Sequence, residues 1–124
     1  MDSSVLLVEQ ALAYLKRHDL DSYLSLLSPD VQIGINDDLP ERFSPDKLRL
    51  LLGGEQVLKY RVDGVVLGQS VQVVVQVLHR HHIVGKGWVR SVYWVRAGKI
   101  ERIQLGKLFV PGRAWISRPR FWPF

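Results

Sequence analysis

Two histidines near the middle of the chain are the side chains whose type and spacing could support chemistry. His79 and His81 lie two positions apart in the segment VQVVVQVLHRHHIV, residues 71–84. Residues two apart on a β-strand point to the same face, with β-carbons about 6–7 Å apart. An imidazole titrates near neutral pH, so the pair could move a proton in a dehydration, cyclisation or isomerisation, or bind a polar group. The alternative is that both rings are solvent-exposed at the end of a hairpin.

A metal site and a cofactor are not expected from this sequence. The two histidines lack an evident third ligand, and Asp37 and Asp38 could supply one only if their loop folds over the pocket. The chain contains no cysteine, which removes disulfides, thiolate metal ligands and cysteine nucleophiles.

Arg90 is the candidate for holding an anionic ligand. It lies between Trp88 and Trp94 in alternation, so the three side chains share one face of the following strand. A desolvated guanidinium can bind a carboxylate through two parallel hydrogen bonds, which predicts that Arg90 is an anion clamp inside a pocket. The alternative is a buried salt bridge with Glu101 or Asp63.

Periodicity and turn residues predict three helices and a set of strands that would position these side chains. Apolar residues at helical spacing predict a first helix that begins at Ser3 or Ser4. They predict a second helix that Asp19 caps and Pro29 ends. A short third helix is predicted between Ser44-Pro45 and Gly53-Gly54. Alternating patterns predict strands at 31–35, 56–67 with a bulge or turn at Asp63-Gly64, 71–84, 88–96 and 99–110, with turns at Gly85–Gly87 and Ala97-Gly98.

Length and composition fit a single globular domain. The chain has 124 residues, of which 47% are hydrophobic and 23% charged, values typical of proteins that bury one core. The first residues carry an acidic side chain where a secretory signal would be basic, and no apolar run reaches the ~20 residues of a membrane-spanning helix. We therefore expect a cytoplasmic protein without a membrane segment.

Charge is divided unevenly along the chain. Residues 1–55 hold ten acidic and five basic side chains (−5), whereas residues 56–124 hold two acidic and twelve basic ones (+10). The basic half could attract an acidic ligand or partner, or both halves could be solvated surface.

Residues 111–124, PGRAWISRPRFWPF, interleave arginines and aromatics, which could contact nucleic acid or a membrane interface. The interpretation we favour is that this tail packs on the domain or on a partner subunit.

Two phrases resemble the nuclear transport factor two-like superfamily, which includes ketosteroid isomerase and polyketide-cyclase-like proteins. They are HDLDSYLSLLSPDVQI at residues 18–33 and VYWVRAGKIERIQL at residues 92–105. The resemblance covers about residues 3–110 and implies an α+β fold in which three N-terminal helices pack on a curved, mostly antiparallel sheet that forms a cone. It implies one domain at residues 1–110, a pocket inside the cone and a homodimer that associates through the sheet.

The resemblance also directs attention to site residues. The strand that carries the general base of ketosteroid isomerase matches Gly34 and Ile35 here, and its second acid matches Val92, so both carboxylates are missing. The segment of this sequence that is nearest to the arginine-x-aspartate of limonene epoxide hydrolase is Arg90-Ser91-Val92, which lacks the aspartate. Scytalone dehydratase uses histidines and tyrosines, which makes Tyr14 a candidate hydrogen-bond donor and Tyr23 a candidate ligand contact.

Three hypotheses for function follow. The first is a domain that binds a small hydrophobic or anionic molecule without the carboxylates of its catalytic relatives. The second is a lyase or isomerase acting on a small hydrophobic carbonyl compound, with His79 or His81 as acid and base, Tyr14 as donor and Arg90 as anchor. The third is a protein-interaction module that uses the basic sheet and the tail. A homodimer is expected, whereas nucleic acid and membranes are not expected as partners.

Overall fold

Three helices precede most of a six-stranded sheet. The structure, a computed structural model, describes residues 3–35, 39–53, 55–81 and 85–109. The elements in chain order are α1 (Ser3–Lys16), α2 (Leu20–Ser25), β1 (Leu27–Ile35), β2 (Glu41–Arg42), α3 (Pro45–Leu52), β3 (Glu55–Val66), β4 (Val71–His81), β5 (Gly85–Arg96) and β6 (Lys99–Phe109). The predicted order is confirmed, and the two-residue strand β2 is an addition that no hydrophobic period indicated. The predicted tail, residues 111–124, lies outside the described residues.

Helix caps lie where the sequence predicted them. The Asp19 carboxylate accepts hydrogen bonds from the backbone N–H and the hydroxyl of Ser22, at 3.2 and 2.7 Å, and so caps α2. Ser44 accepts from the Lys47 N–H at 3.2 Å, and Pro45 occupies the first turn of α3. The predicted end of α2 at Pro29 is wrong. The helix ends at Ser25, and Pro29 lies in the first residues of β1, a position that proline tolerates because its missing N–H can face solvent.

The sheet has the strand order β2-β1-β6-β5-β4-β3. Neighbouring strands are antiparallel except β1 and β6, which are parallel and are connected in the chain through β2, α3 and the β3–β5 meander. The predicted α+β class with a mostly antiparallel, curved sheet is confirmed.

Bulges interrupt β3 between Val57 and Lys59 and between Val62 and Gly64, which confirms the predicted bulge at Asp63-Gly64. Bulges increase local twist and bend the strand.

The long hairpin of β4 and β5 is paired without a shift from Val71↔Val95 to His81↔Gly85. This register corrects one prediction. Gly87 pairs with His79, so the segment Gly85–Gly87 belongs to β5 and is not the turn. The connection comprises residues 82–84, which lie outside the described residues.

Alternation divides the sheet into an inner face, which α1 covers, and an outer face. Val73, Val75 and Val77 of β4 are at most 1% exposed and pack in one core with Val8 and Leu12 of α1. Burying each such side chain stabilises the fold by about 1.5–3 kcal/mol. The odd-numbered valines of β4 therefore belong to the buried core. Within the described part of the chain, no helix has the length and apolar character needed to cross a membrane.

The hydrogen bonds that Asp19 accepts from Ser22 hold the pKa of this carboxyl below its ordinary value of 3.8. A pKa that folding lowers stabilises the protein above the unfolded-state pKa and loses that effect as the pH falls through the folded-state pKa. We expect Asp19→Ala to lower the urea midpoint near neutral pH, and the difference from wild type to shrink below about pH 4. Asp19→Asn keeps a capping acceptor but does not titrate, so it should keep a near wild-type midpoint near neutral pH. An Asp19→Ala effect that is equal at pH 3 and pH 7 would contradict this mechanism.

The turn between β5 and β6 has positive φ at both central residues, 51° at Ala97 and 74° at Gly98. This confirms the predicted tight turn and matches the hairpin type that favours glycine at both positions. Because a Cβ is disfavoured at such φ values, Ala97→Gly should raise the free energy of unfolding by about 0.5–1 kcal/mol, and Gly98→Ala should lower it by about 1 kcal/mol. Chemical denaturation of both variants checks the opposite signs, and equal signs would contradict the assigned turn.

Candidate functional site

A small cavity lies between the helices and the inner face of the sheet. Its volume is about 30 Å³, which is room for about one water molecule. Most of the lining side chains are apolar, and its polar groups are those of His79, Ser91 and two tyrosines. The lining residues are Leu12, Leu15, Tyr23, Ile33, Leu48, Leu51, Leu52, Val77, His79, Ser91, Tyr93, Ile103 and Leu105.

Ser91 brings a hydroxyl to the sheet side of this cavity. It pairs with Val75 of β4 and with Leu105 of β6, so it lies in the middle of the inner face. The residue is 1% exposed, and its Oγ has no hydrogen-bond partner among the described residues. A buried hydroxyl without a partner costs about 1–3 kcal/mol. An unsatisfied polar atom next to a cavity is the arrangement expected where a water molecule or a ligand group completes the hydrogen bond.

His79 lines the same cavity from a different position along the strands. It also borders a second void of about 10 Å³, beside Leu15, His18 and Leu20. Since His79 pairs with Gly87 and Ser91 with Val75, the two residues are about four positions, or roughly 13 Å, apart along the strands. Backbone positions this far apart do not place the imidazole of His79 and the hydroxyl of Ser91 as a hydrogen-bonded pair. The side chain of His81 lies outside what the structure describes.

Two tyrosines complete the polar lining. Tyr23 of α2 and Tyr93 of β5 are both buried and border the cavity from the helical side and from the sheet. The structure thus brings two of the predicted site residues, His79 and Tyr23, together at one cavity. Tyr93 joins them although sequence reasoning did not select it.

Helix α3 forms the loosest wall of the cavity. Leu48 is the one residue of this helix that is buried. Leu51 and Leu52 line the cavity but are half-buried, whereas Leu50 is 84% exposed. A wall held by few buried side chains opens at a lower free-energy cost than the core does.

Solved structures share this arrangement of helices and sheet. A polyketide cyclase-like protein of Xanthomonas campestris superposes with a TM-score of 0.63 at 20% identity, covering 82% of this chain and 87% of that one. A nuclear transport factor two-like protein of Cytophaga hutchinsonii gives 0.63 at 15% identity, covering 85% and 95%. This chain has the nuclear transport factor two-like fold. An epoxide hydrolase-like protein of M. tuberculosis gives 0.61 at 18% identity, covering 83% and 80%. No protein-family model and no curated protein matches the sequence.

Arg90 lies on the outer face of the sheet and is exposed. Its neighbours Ser91 and Tyr93 fill the inner positions of β5, so alternation directs Arg90 away from the cavity. Trp88 and Trp94 share its face. The structure therefore corrects the predicted position of these three residues inside the pocket. Both faces of β5 carry large apolar side chains, which is why the pattern could not identify the inner one.

The two carboxylates considered as salt-bridge partners for Arg90 have other neighbours. Asp63 forms an ion pair with Arg61 at 3.5 Å and accepts a hydrogen bond from Gln76 at 2.5 Å. Glu101 accepts a hydrogen bond from the Ser70 hydroxyl. Of these contacts, the hydrogen bond between Gln76 and Asp63 joins the adjacent strands β4 and β3.

Tyr14 also lies away from the cavity. Its hydroxyl accepts a hydrogen bond from the Gln10 side chain at 3.0 Å, and the Arg17 guanidinium lies 5.2 Å from its ring centroid. Both neighbours belong to the exposed side and the end of α1. The predicted role of Tyr14 as a donor to a ligand in the cone thus lacks support from its position.

The outer face carries a wider, polar hollow of about 460 Å³. The Arg102 guanidinium stacks on the Trp94 ring at 4.3 Å, and Arg42 forms an exposed ion pair with Asp30 at 3.8 Å. With Glu101 also present, the two cations and two carboxylates cancel. The hollow therefore offers no net charge to select an anion.

The sequence pattern did not identify Ser91 and Tyr93 as cavity residues, and one reason applies to both. Their odd-numbered alternation was visible, but the pattern does not show which side of β5 faces the helices. The signal that could have found them is register. Val75 is apolar in an unbroken run of valines, and pairing β4 with β5 places Ser91 beside it.

The unpartnered hydroxyl makes a prediction about stability. Ser91→Ala removes the unsatisfied group, so we expect the free energy of unfolding in urea to rise by about 1 kcal/mol. Ser70→Ala is the contrasting variant, because that hydroxyl donates to Glu101 and its loss should destabilise the protein. A loss of stability in Ser91→Ala would show that the hydroxyl is hydrogen-bonded, for example to a buried water.

Proposed function

We propose that this protein binds a small, mainly apolar molecule in the cavity between the helices and the sheet. The observation that carries the proposal is the buried Ser91 hydroxyl, which faces an apolar cavity without a partner among the described residues. Ligand sites typically combine an apolar lining with a few polar groups that fix orientation. Here Ser91, Tyr93 and His79 supply those groups.

Entry of a ligand requires the cavity to enlarge. A volume of about 30 Å³ is far below the ~300 Å³ at which ligand pockets begin. The half-buried Leu51 and Leu52 of α3 occupy the space that a ligand would take, and the helix is anchored in the core through Leu48. An outward movement of this helix would open the cavity while leaving the sheet and α1 in place.

Binding is favoured over catalysis by what the cavity contains. None of the residues that line it in the described part of the chain is an aspartate or a glutamate. The lyase or isomerase hypothesis needed Tyr14 as donor and Arg90 as anchor, and neither borders the cavity. His79 remains as a group that could exchange a proton, but a cavity whose described lining holds an imidazole and no carboxyl group makes a weaker case for a reaction than for a hydrogen bond.

The structural relatives support a small molecule as the occupant. Two of them are named for polyketide cyclase and epoxide hydrolase, which are activities on small organic compounds. Their low identity to this chain transfers the fold and not the reaction. Homodimer formation and cytoplasmic location stay predictions.

The proposal can be tested with Nile red, a neutral apolar dye whose carbonyl can accept a hydrogen bond. Its fluorescence should rise on saturable binding of one dye per chain. Leu52→Ala should tighten binding by enlarging the cavity, and Ser91→Ala should weaken it about 2- to 10-fold, because it removes the donor without making the cavity smaller.

Leu50→Ala is the matched control, because Leu50 lies on the same helix but is 84% exposed. It should bind the dye as wild type does. Absence of saturable binding in both the wild-type protein and Leu52→Ala would overturn the proposal. Equal effects of Leu50→Ala and Leu52→Ala would place the dye on the surface of α3 and not in the cavity.

A further inference from the structure

The register of β3, β4 and β5 places nine outer-face residues in three rows. Each row contains one residue of each strand, so side chains far apart in the sequence become neighbours. The rows are Gln56, Arg80 and Lys86; Lys59, Leu78 and Trp88; and Arg61, Gln76 and Arg90.

Five of these nine residues are cations and none is an acid. We name Lys59, Arg61, Arg80, Lys86 and Arg90 the basic patch. All five are exposed. Strand spacing confines them to an area of about 10 by 14 Å. Like charges so close together repel one another, and this cost is relieved when an anionic partner binds.

Three cations elsewhere on the described surface form ion pairs with carboxylates. The ion pairs outside the patch are Arg42 with Asp30, Lys47 with Glu41, and Arg49 with Asp21. In contrast, Lys59, Arg80 and Lys86 form no ion pair with any carboxylate whose side chain the structure describes. Within the patch, Arg61 is paired with Asp63. The basic patch thus brings together three cations, Lys59, Arg80 and Lys86, that have no carboxylate partner among the described side chains.

An aromatic ring lies within the basic patch. Trp88 is half-buried in the middle row, and the Arg61 guanidinium lies 5.7 Å from the centroid of its ring. Cations that follow a phosphate backbone, together with an aromatic ring on which a base can stack, are the features by which proteins bind single strands without sequence preference.

We propose that the basic patch and Trp88 bind single-stranded nucleic acid. The cations contact successive phosphates, and a base stacks against the indole after Arg61 shifts from it to a phosphate. This site lies on the face opposite to the cavity, so it is independent of the proposed ligand binding. It replaces the expectation from sequence that nucleic acid is not a partner, because the patch exists only once three strands are paired.

Two other occupants fit the patch less well. A second copy packed symmetrically over this patch would place the five cations against the same five cations, which is repulsive. An acidic protein segment would use the charges but would have no use for an indole among them. Charge and aromatic ring together favour nucleic acid.

The test is fluorescence anisotropy of the full chain with a fluorescein-labelled oligothymidine of about twelve nucleotides. Five phosphate contacts predict a slope of about −3.5 for the logarithm of the association constant against the logarithm of salt concentration. A labelled polyglutamate of equal charge is the competing probe, and we expect it to bind at least about tenfold more weakly because it cannot stack.

Matched variants locate the site. Lys59→Gln with Lys86→Gln should reduce the magnitude of the slope by about 1.4, which corresponds to two lost phosphate contacts. Lys16→Gln with Arg96→Gln removes the same charge elsewhere, since Arg96 lies on β5 about 20 Å from Arg90, and should leave the slope unchanged. Trp88→Leu should weaken oligothymidine binding about 5- to 100-fold.

Three results would overturn the proposal. The first is no oligothymidine binding at low salt. The second is an equal loss in the two double variants, which would mean attraction by net charge alone. The third is equal binding of polyglutamate, which would assign the patch to an acidic protein. If circular dichroism shows that Trp88→Leu does not fold, the Lys59→Gln and Lys86→Gln double variant and the polyglutamate comparison still test the proposal. Both lysines are exposed, so their substitution should not disturb folding.

Discussion

The unbroken pairing of β4 with β5 is the constraint on which the rest of the molecule depends. Eleven consecutive residue pairs join the two strands without a register shift. Because side chains alternate, a shift of one residue would exchange the two faces along the whole hairpin. Such a shift would bring Arg90 under the helices and move Ser91 to solvent. Burial of Val73, Val75 and Val77 on β4 together with Tyr93 and Val95 on β5 makes that exchange costly.

Local features of the sequence predicted local structure well, and features that depend on a neighbouring strand were predicted poorly. The caps of α2 and α3 and the turn at Ala97-Gly98 were predicted because a few adjacent residues determine them. The two-residue strand β2 has no pattern of its own and exists through its pairing with β1. Pro29 looked like a helix end because the sequence does not reveal that the chain has already entered a strand.

The residues of the candidate site likewise divide into those that the sequence identified and those that required the strand pairing. His79 was found because an imidazole is unusual on an apolar strand face, and Tyr23 because of the resemblance to scytalone dehydratase. Ser91 and Tyr93 required knowledge of which face of β5 turns inward. The aromatic and cationic side chains of the even positions looked like pocket residues. On the outer face they instead produce an exposed cationic surface, so one strand contributes to two different kinds of site.

The bulges of β3 have a consequence for how the molecule avoids aggregation. This strand is the last of the sheet in the described part of the chain, and a long strand at an edge can recruit further chains through its free backbone groups. Irregularities at Val57/Lys59 and Val62/Gly64 break the regular spacing of those groups, and Lys59 and Arg61 add charge beside them. Both features disfavour regular pairing of a second molecule along this edge.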